Sequence, residues 1–128
     1  MKTNTIELYI HIPFCKSKCR YCDFCSFRAE EETIHAYLGK LKEELIFWGK
    51  KLAARDVVTV FIGGGTPSYL RREDIQMICE TIFEHFHICE DAEITIEANP
   101  GTVDLKKLCT YRENGINRIS FGLSLIHI

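Results

Sequence analysis

The sequence predicts an α/β fold with a parallel sheet, its elements running β-α-β-α-β-α-β. Three observations carry this expectation. Short runs with alternating apolar side chains recur along the chain, and the stretches between them repeat apolar residues at intervals of three and four. The cysteine, glycine and Asn-Pro motifs fall just beyond the C-terminal ends of the strand-like runs. Strands separated by helical crossovers are joined in parallel, because a parallel neighbour is reached only by a long connection.

The first strand is expected over residues 7–12, where Leu8, Ile10 and Ile12 share one face. A long helix over 32–52 follows, with Ile34, Leu38, Leu41, Leu45, Trp48 and Leu52 forming one buried stripe. The second strand covers 57–62, and a helix over 72–86 turns Ile75, Ile78, Ile82 and Phe86 inward. The third strand is 93–98, a short helix follows Thr102, and the fourth strand is 118–121. No low-complexity stretch or Pro/Gly-rich linker marks a domain boundary.

Side chains alternate faces along a strand, so parity assigns a second set. Tyr9 and His11 lie opposite Leu8, Ile10 and Ile12; Thr95, Glu97 and Asn99 lie opposite Ile94, Ile96 and Ala98; Arg118 and Ser120 lie opposite Ile119 and Phe121. A structural barrel interior is mostly bulky and branched, so a polar inner face implies a site. The C-terminal rim of such a sheet is where parallel α/β proteins bind ligands.

With 128 residues, 46% hydrophobic and 27% charged, the chain has the composition of a single globular domain. Its formal net charge of -2 leaves no electrostatic footprint for nucleic acid or an anionic membrane. No apolar run approaches the roughly 18 residues of a spanning helix, and the N-terminus lacks a signal-peptide core. Together with seven cysteines, an odd number, this predicts a cytoplasmic, reducing location.

Chemistry concentrates in Cys15, Cys19 and Cys22, a C-x3-C-x2-C cluster. Three thiolates from one short loop can hold three corners of a 4Fe-4S cubane and leave the fourth iron open to a small chelator. The spacing also admits zinc, with Cys25 as a fourth ligand, although no second close pair stands at the usual longer distance. Cys79 and Cys109 fall in helical segments as small core residues, and Cys89 in a loop.

Tyr9-Ile-His-Ile-Pro-Phe-Cys15-x3-Cys19-x-Tyr21-Cys22 resembles the cluster loop of radical S-adenosylmethionine (SAM) proteins, in the branch of HemW haem chaperones and oxygen-independent coproporphyrinogen oxidases. Gly63-Gly-Gly-Thr-Pro67, Glu97-Ala-Asn-Pro100 and Asn117-Arg-Ile-Ser-Phe-Gly122 extend the resemblance in order. It implies the N-terminal part of a partial (β/α) TIM-like barrel, with a 4Fe-4S cluster and SAM at the rim. By this resemblance Cys15, Cys19 and Cys22 ligate the cluster; Gly64, Gly65 and Thr66 meet the SAM methionyl group; Glu97 accepts from its ribose hydroxyls; Tyr9 lies against SAM and Tyr21 near its adenine. The implied chemistry is one-electron cleavage of the sulfonium to a 5'-deoxyadenosyl radical, with an electron-donor protein as partner.

Two functions follow from the resemblance: binding and delivery of haem, or oxidative decarboxylation of porphyrinogen propionates. Cys22-Asp-Phe-Cys25-Ser stands close to the Cys-Asp-Phe-x-Ser of HemW relatives, where the oxidases have Cys-Gly-Cys, and favours the haem chaperone. A zinc-stabilised structural module is the third alternative. After Phe121-Gly122-Leu123 the family pattern Val-Gln-Ser gives way to Ser124-Leu-Ile-His-Ile. A full barrel takes about 200 residues or more, so residues 1–128 are expected to be a radical SAM core domain cut before closure. Open edges on the first and fourth strands would then favour aggregation.

Overall fold

The computed structural model describes residues 4–15, 30–121 and 124–126. Four parallel strands, β1 (Thr5–Ile12), β2 (Asp56–Gly64), β3 (His87–Ala98) and β4 (Arg118–Phe121), alternate with helices α1 (Glu31–Lys51), α2 (Arg72–His85) and α3 (Leu105–Glu113). The sheet order is sequential, so successive crossovers advance in one direction and all helices fall on one face. A doubly wound sheet would reverse its order; this one keeps the sequential order of a barrel. α1 packs on α2 and α2 on α3, and the core lies between this layer and the outward side chains Ile10, Ile12, Val60, Ile62, Ile94, Ile96 and Ile119.

Each helix is built as the periodicity requires, with one local correction. Ile34, Leu38 and Leu45 of α1 are buried, but Trp48 is 46% exposed and stacks edge-on against Phe47. Gly49 takes the buried position instead. A Cβ there would stand 2.5 Å from the His85 carbonyl oxygen, so the two helices meet where no side chain intervenes. In α2 the expected inner face is buried as read, and Cys79 beside it has its thiol pushed up to about 12, chiefly by burial. Cys109 of α3 is exposed rather than core, and Cys89 lies in β3 rather than a loop.

β3 begins six residues earlier than its alternation indicates. Val57 pairs with Ile88 but Thr59 pairs with Glu93, so residues 89–92 bulge past a single residue of β2, and the acidic run shows no period of two. Asn117 repairs the break. Its Oδ1 accepts from the Ile94 amide at 2.9 Å and its Nδ2 donates to the Ala92 carbonyl at 3.0 Å, extending the β3–β4 ladder with a side chain. Asn117→Ala should cost about 1–3 kcal/mol by leaving this amide unpaired, read as a lower urea midpoint at unchanged slope.

The outer edge of β4 is not open as the sequence led us to expect. A short strand β5 (Ser124–Ile126) pairs antiparallel with it, Phe121 opposite Ser124 and Ile119 opposite Ile126. β1 forms the other edge of the sheet. Among the described residues no helix is long and apolar enough to cross a membrane.

Candidate functional site

The C-terminal ends of β1, β2 and β3 bring the candidate residues together. On the inner face Tyr9 stands beside Phe61, which stands beside Thr95, which stands beside Arg118; one layer up, His11 stands beside Gly63. The Tyr9 and Phe61 rings stack at 5.9 Å, and the Tyr9 hydroxyl lies 3.3 Å from His11 Nδ1. Partial burial and then the Glu97 carboxylate raise the Tyr9 phenol above its ordinary value, which keeps it protonated and able to donate. Tyr9 remains 58% exposed.

Above this layer the backbone of the glycine run folds over the end of β1. The Gly65 amide donates to the Ile12 carbonyl and the Thr66 amide to the Phe14 carbonyl, each at 2.7 Å. A Cβ on Gly65 would meet the Phe14 carbonyl oxygen at 2.6 Å and Cys15 Sγ at 3.0 Å, so the thiol sits directly against glycine backbone. Cys15 is only 3% exposed. The Phe14 ring packs edge-on against Tyr37 at 5.3 Å, and the Tyr37 hydroxyl donates to the His11 carbonyl, tying α1 to the same segment.

Glu97 enters from β3. Its Oε1 accepts the Gly64 amide at 2.8 Å, which aims the carboxylate across the rim and leaves its other oxygen for a second donor. Gly63 makes the room: a Cβ there would be 2.7 Å from Glu97 Oε1 and 2.7 Å from the Phe61 ring. Arg118 pairs with the Glu93 carboxylate at 3.3 Å and donates to the Thr95 hydroxyl at 3.4 Å, so its charge is already engaged below the rim. His11 Nε2 is buried and has no hydrogen-bond partner among the described residues.

Thus Tyr9, Cys15, Gly64, Gly65, Thr66 and Glu97 share one rim. Cys19, Tyr21 and Cys22, with Cys25, lie outside the described residues. Sequence reasoning missed a layer behind the site. Two one-turn 3₁₀ segments, Pro67–Tyr69 and Pro100–Thr102, stand side by side: Ser68 Oγ accepts the Asn99 amide at 3.0 Å and pairs with the Thr102 hydroxyl. Lys107 donates to the carbonyls of Ser68 and Thr102 at 2.6 and 2.9 Å.

A soft sulfur donor, an acceptor carboxylate, an exposed aromatic face and side-chain-free backbone thus meet at one rim, residues of the kind that could hold a thiolate-bound group and a hydroxyl-bearing ligand beside it. Residues 9–125 match the radical SAM superfamily, and the chain belongs to it. Within that superfamily it is similar to heme chaperone HemW of Escherichia coli K12, 42% identical over 124 residues, covering 96% of this chain and 33% of that protein. It is likewise 42% identical to HemW of Buchnera aphidicola subsp. Schizaphis graminum, over 95% of this chain and 33% of the relative, and 39% identical to that of Bacillus subtilis. The solved coproporphyrinogen III oxidase HemN of Escherichia coli, a radical SAM enzyme, superposes with a TM-score of 0.88 at 34% identity, covering 94% of this chain and 28% of that one. The chain spans about a third of the length of these HemW relatives. Its four parallel strands correspond to the N-terminal part of the HemN barrel.

Proposed function

We propose that this chain is the cluster- and SAM-binding part of a HemW-type haem chaperone. The observation that carries the reading is the seating of the Cys15 thiol against Gly65 while Glu97 holds the neighbouring Gly64 amide. Cys15, Cys19 and Cys22 would hold a 4Fe-4S cluster, and Gly64, Gly65, Thr66, Glu97, Tyr9 and Tyr21 would hold SAM. When bound, the pair supplies reductive cleavage of the sulfonium carbon–sulfur bond. The chain's own part is positional. Gly64 and Gly65 let a ligand approach the backbone, Glu97 accepts hydroxyl donors, and Tyr9 with Phe61 forms an apolar wall.

Haem is the proposed cargo of the longer protein, with an electron-donor protein as partner and the cytoplasm as location. Cys22-Asp-Phe-Cys25-Ser favours the chaperone over porphyrinogen decarboxylation, and the higher identity to HemW than to HemN points the same way. The polar inner face, open above Tyr9, keeps decarboxylation as the second reading.

Anaerobic reconstitution tests the cofactor set. About four irons and four sulfides per chain are expected, with a paramagnetic signal that changes when SAM is added. One zinc without acid-labile sulfide would overturn it in favour of a structural zinc module. Haem titration, together with a porphyrinogen decarboxylation assay on the full-length protein, separates the two functions: saturable haem binding without decarboxylation supports the chaperone, and turnover of the porphyrinogen sinks it.

A further inference from the structure

Lys107 breaks a local rule. Asp104 caps α3, its carboxylate accepting the Lys107 amide at 2.8 Å, and the third helical position after such a cap is favourable for Glu or Gln reaching back. A cation there faces the positive end of the helix dipole. Where a local preference is overridden, a tertiary requirement is the place to look. The requirement here is visible in the two carbonyls that its ammonium joins, Ser68 after the glycine run and Thr102 after the Glu97 strand.

We infer that Lys107 is a positioning residue: it clamps the two rim turns from behind and so fixes the glycine run against Glu97 for the adenosyl ligand. The inference rests on the SAM-binding reading above. The clamp is a closed network. Fully buried Ser68 accepts the Asn99 amide, the Ser68 and Thr102 hydroxyls pair, and the Thr102 hydroxyl and amide both donate to the Asn99 carbonyl at 2.8 Å. On the inner side the strand ends that lead into these two turns are joined by the Gly64 amide, which donates to Glu97 at 2.8 Å. Two ties on opposite sides of the rim remove the hinge that either alone would leave. Burial lowers the Lys107 pKa and Asp104 opposes that shift, as suits an ammonium held mainly by carbonyl oxygens. Lys107 acts on the ligand only through the two turns.

The test compares Lys107→Met, which keeps the aliphatic stem, with Lys107→Arg, which restores a donor, and with Ile82→Val, a core change in the last turn of α2, at the far end of that helix from the Pro67–Tyr69 turn. Amide hydrogen exchange is measured on the full chain without cofactor, and SAM affinity on the reconstituted chain from its paramagnetic signal. Lys107→Met should speed exchange at Gly64, Gly65, Thr66 and Asn99 about tenfold relative to β1 and β2 amides, and weaken SAM binding about tenfold at unchanged iron content. Lys107→Arg should recover most of both, and Ile82→Val should shift exchange across the core while leaving SAM affinity unchanged. Unaltered rim exchange in Lys107→Met overturns the clamp, and faster rim exchange with undiminished SAM affinity overturns its positioning role. Loss of SAM affinity in Ile82→Val as large as in Lys107→Met overturns it too. A parent signal indifferent to SAM sinks the SAM reading, and with it the role for the ligand, while the exchange data still decide the clamp.

Discussion

Gly64→Ala should lower the stability of the chain by about 2–4 kcal/mol, a large share of the roughly 5–15 kcal/mol typical of a domain. Two independent costs meet at this position. Its φ of +120° lies where a side chain is strained, and an added Cβ would stand 2.6 Å from the Ile12 carbonyl oxygen. That oxygen has no freedom to yield, because it accepts the Gly65 amide at 2.7 Å and belongs to the end of β1. Displacing it would also shift Phe14 and Cys15 and break the Gly64–Glu97 bond, so ligand binding should fail even where the fold survives. Gly39→Ala is the internal control. Its Cβ would meet nothing within 4 Å in mid-α1, and the substitution should stabilise by about 0.5–1 kcal/mol. Urea denaturation of the two variants side by side gives opposite signs if the backbone reading is right.

The sequence exposed those parts of the fold whose patterns are periodic. β4 was readable to the residue, and α2 to within one, because apolar alternation and a four-and-three stripe depend only on neighbours along the chain. That Gly63, Gly64 and Glu97 lie at one rim was also legible, since parity put Glu97 on the inner face and the glycines stood at a strand end. What stayed hidden depends on contacts across the sheet. The first half of β3 bulges and so has no period; β5 is three residues turned back on β4; Gly49 replaces Trp48 in the helix contact because His85 approaches from α2. The clamp behind the rim carried one sequence signal, a lysine where Asp104 calls for an acid three residues on, but its partners Ser68 and Thr102 lie 39 and 5 residues away. No local rule connects them.

Glu97→Gln separates holding the backbone from holding a ligand. The glutamine carbonyl oxygen can still accept the Gly64 amide, as Glu97 Oε1 does at 2.8 Å, so stability should change by less than about 1 kcal/mol. The second oxygen becomes an NH₂, which donates where a ribose hydroxyl needs an acceptor, and the negative charge is lost. A charge-assisted hydrogen bond contributes about 1.5–3 kcal/mol, so SAM affinity of the reconstituted chain should fall about 10- to 100-fold. Glu97→Ala goes further, because it also strips the Gly64 amide of its acceptor and frees the turn at the positive-φ glycine. It should therefore lose affinity and stability together, whereas Gln loses affinity alone. An adenosyl analogue without ribose hydroxyls provides the complementary cut: parent and Glu97→Gln should bind it alike, since the group proposed to meet Glu97 is gone from the ligand. If Gln binds SAM as tightly as the parent, or discriminates against the analogue as strongly, the carboxylate serves only the Gly64 turn, and the nucleoside must be held elsewhere on the rim.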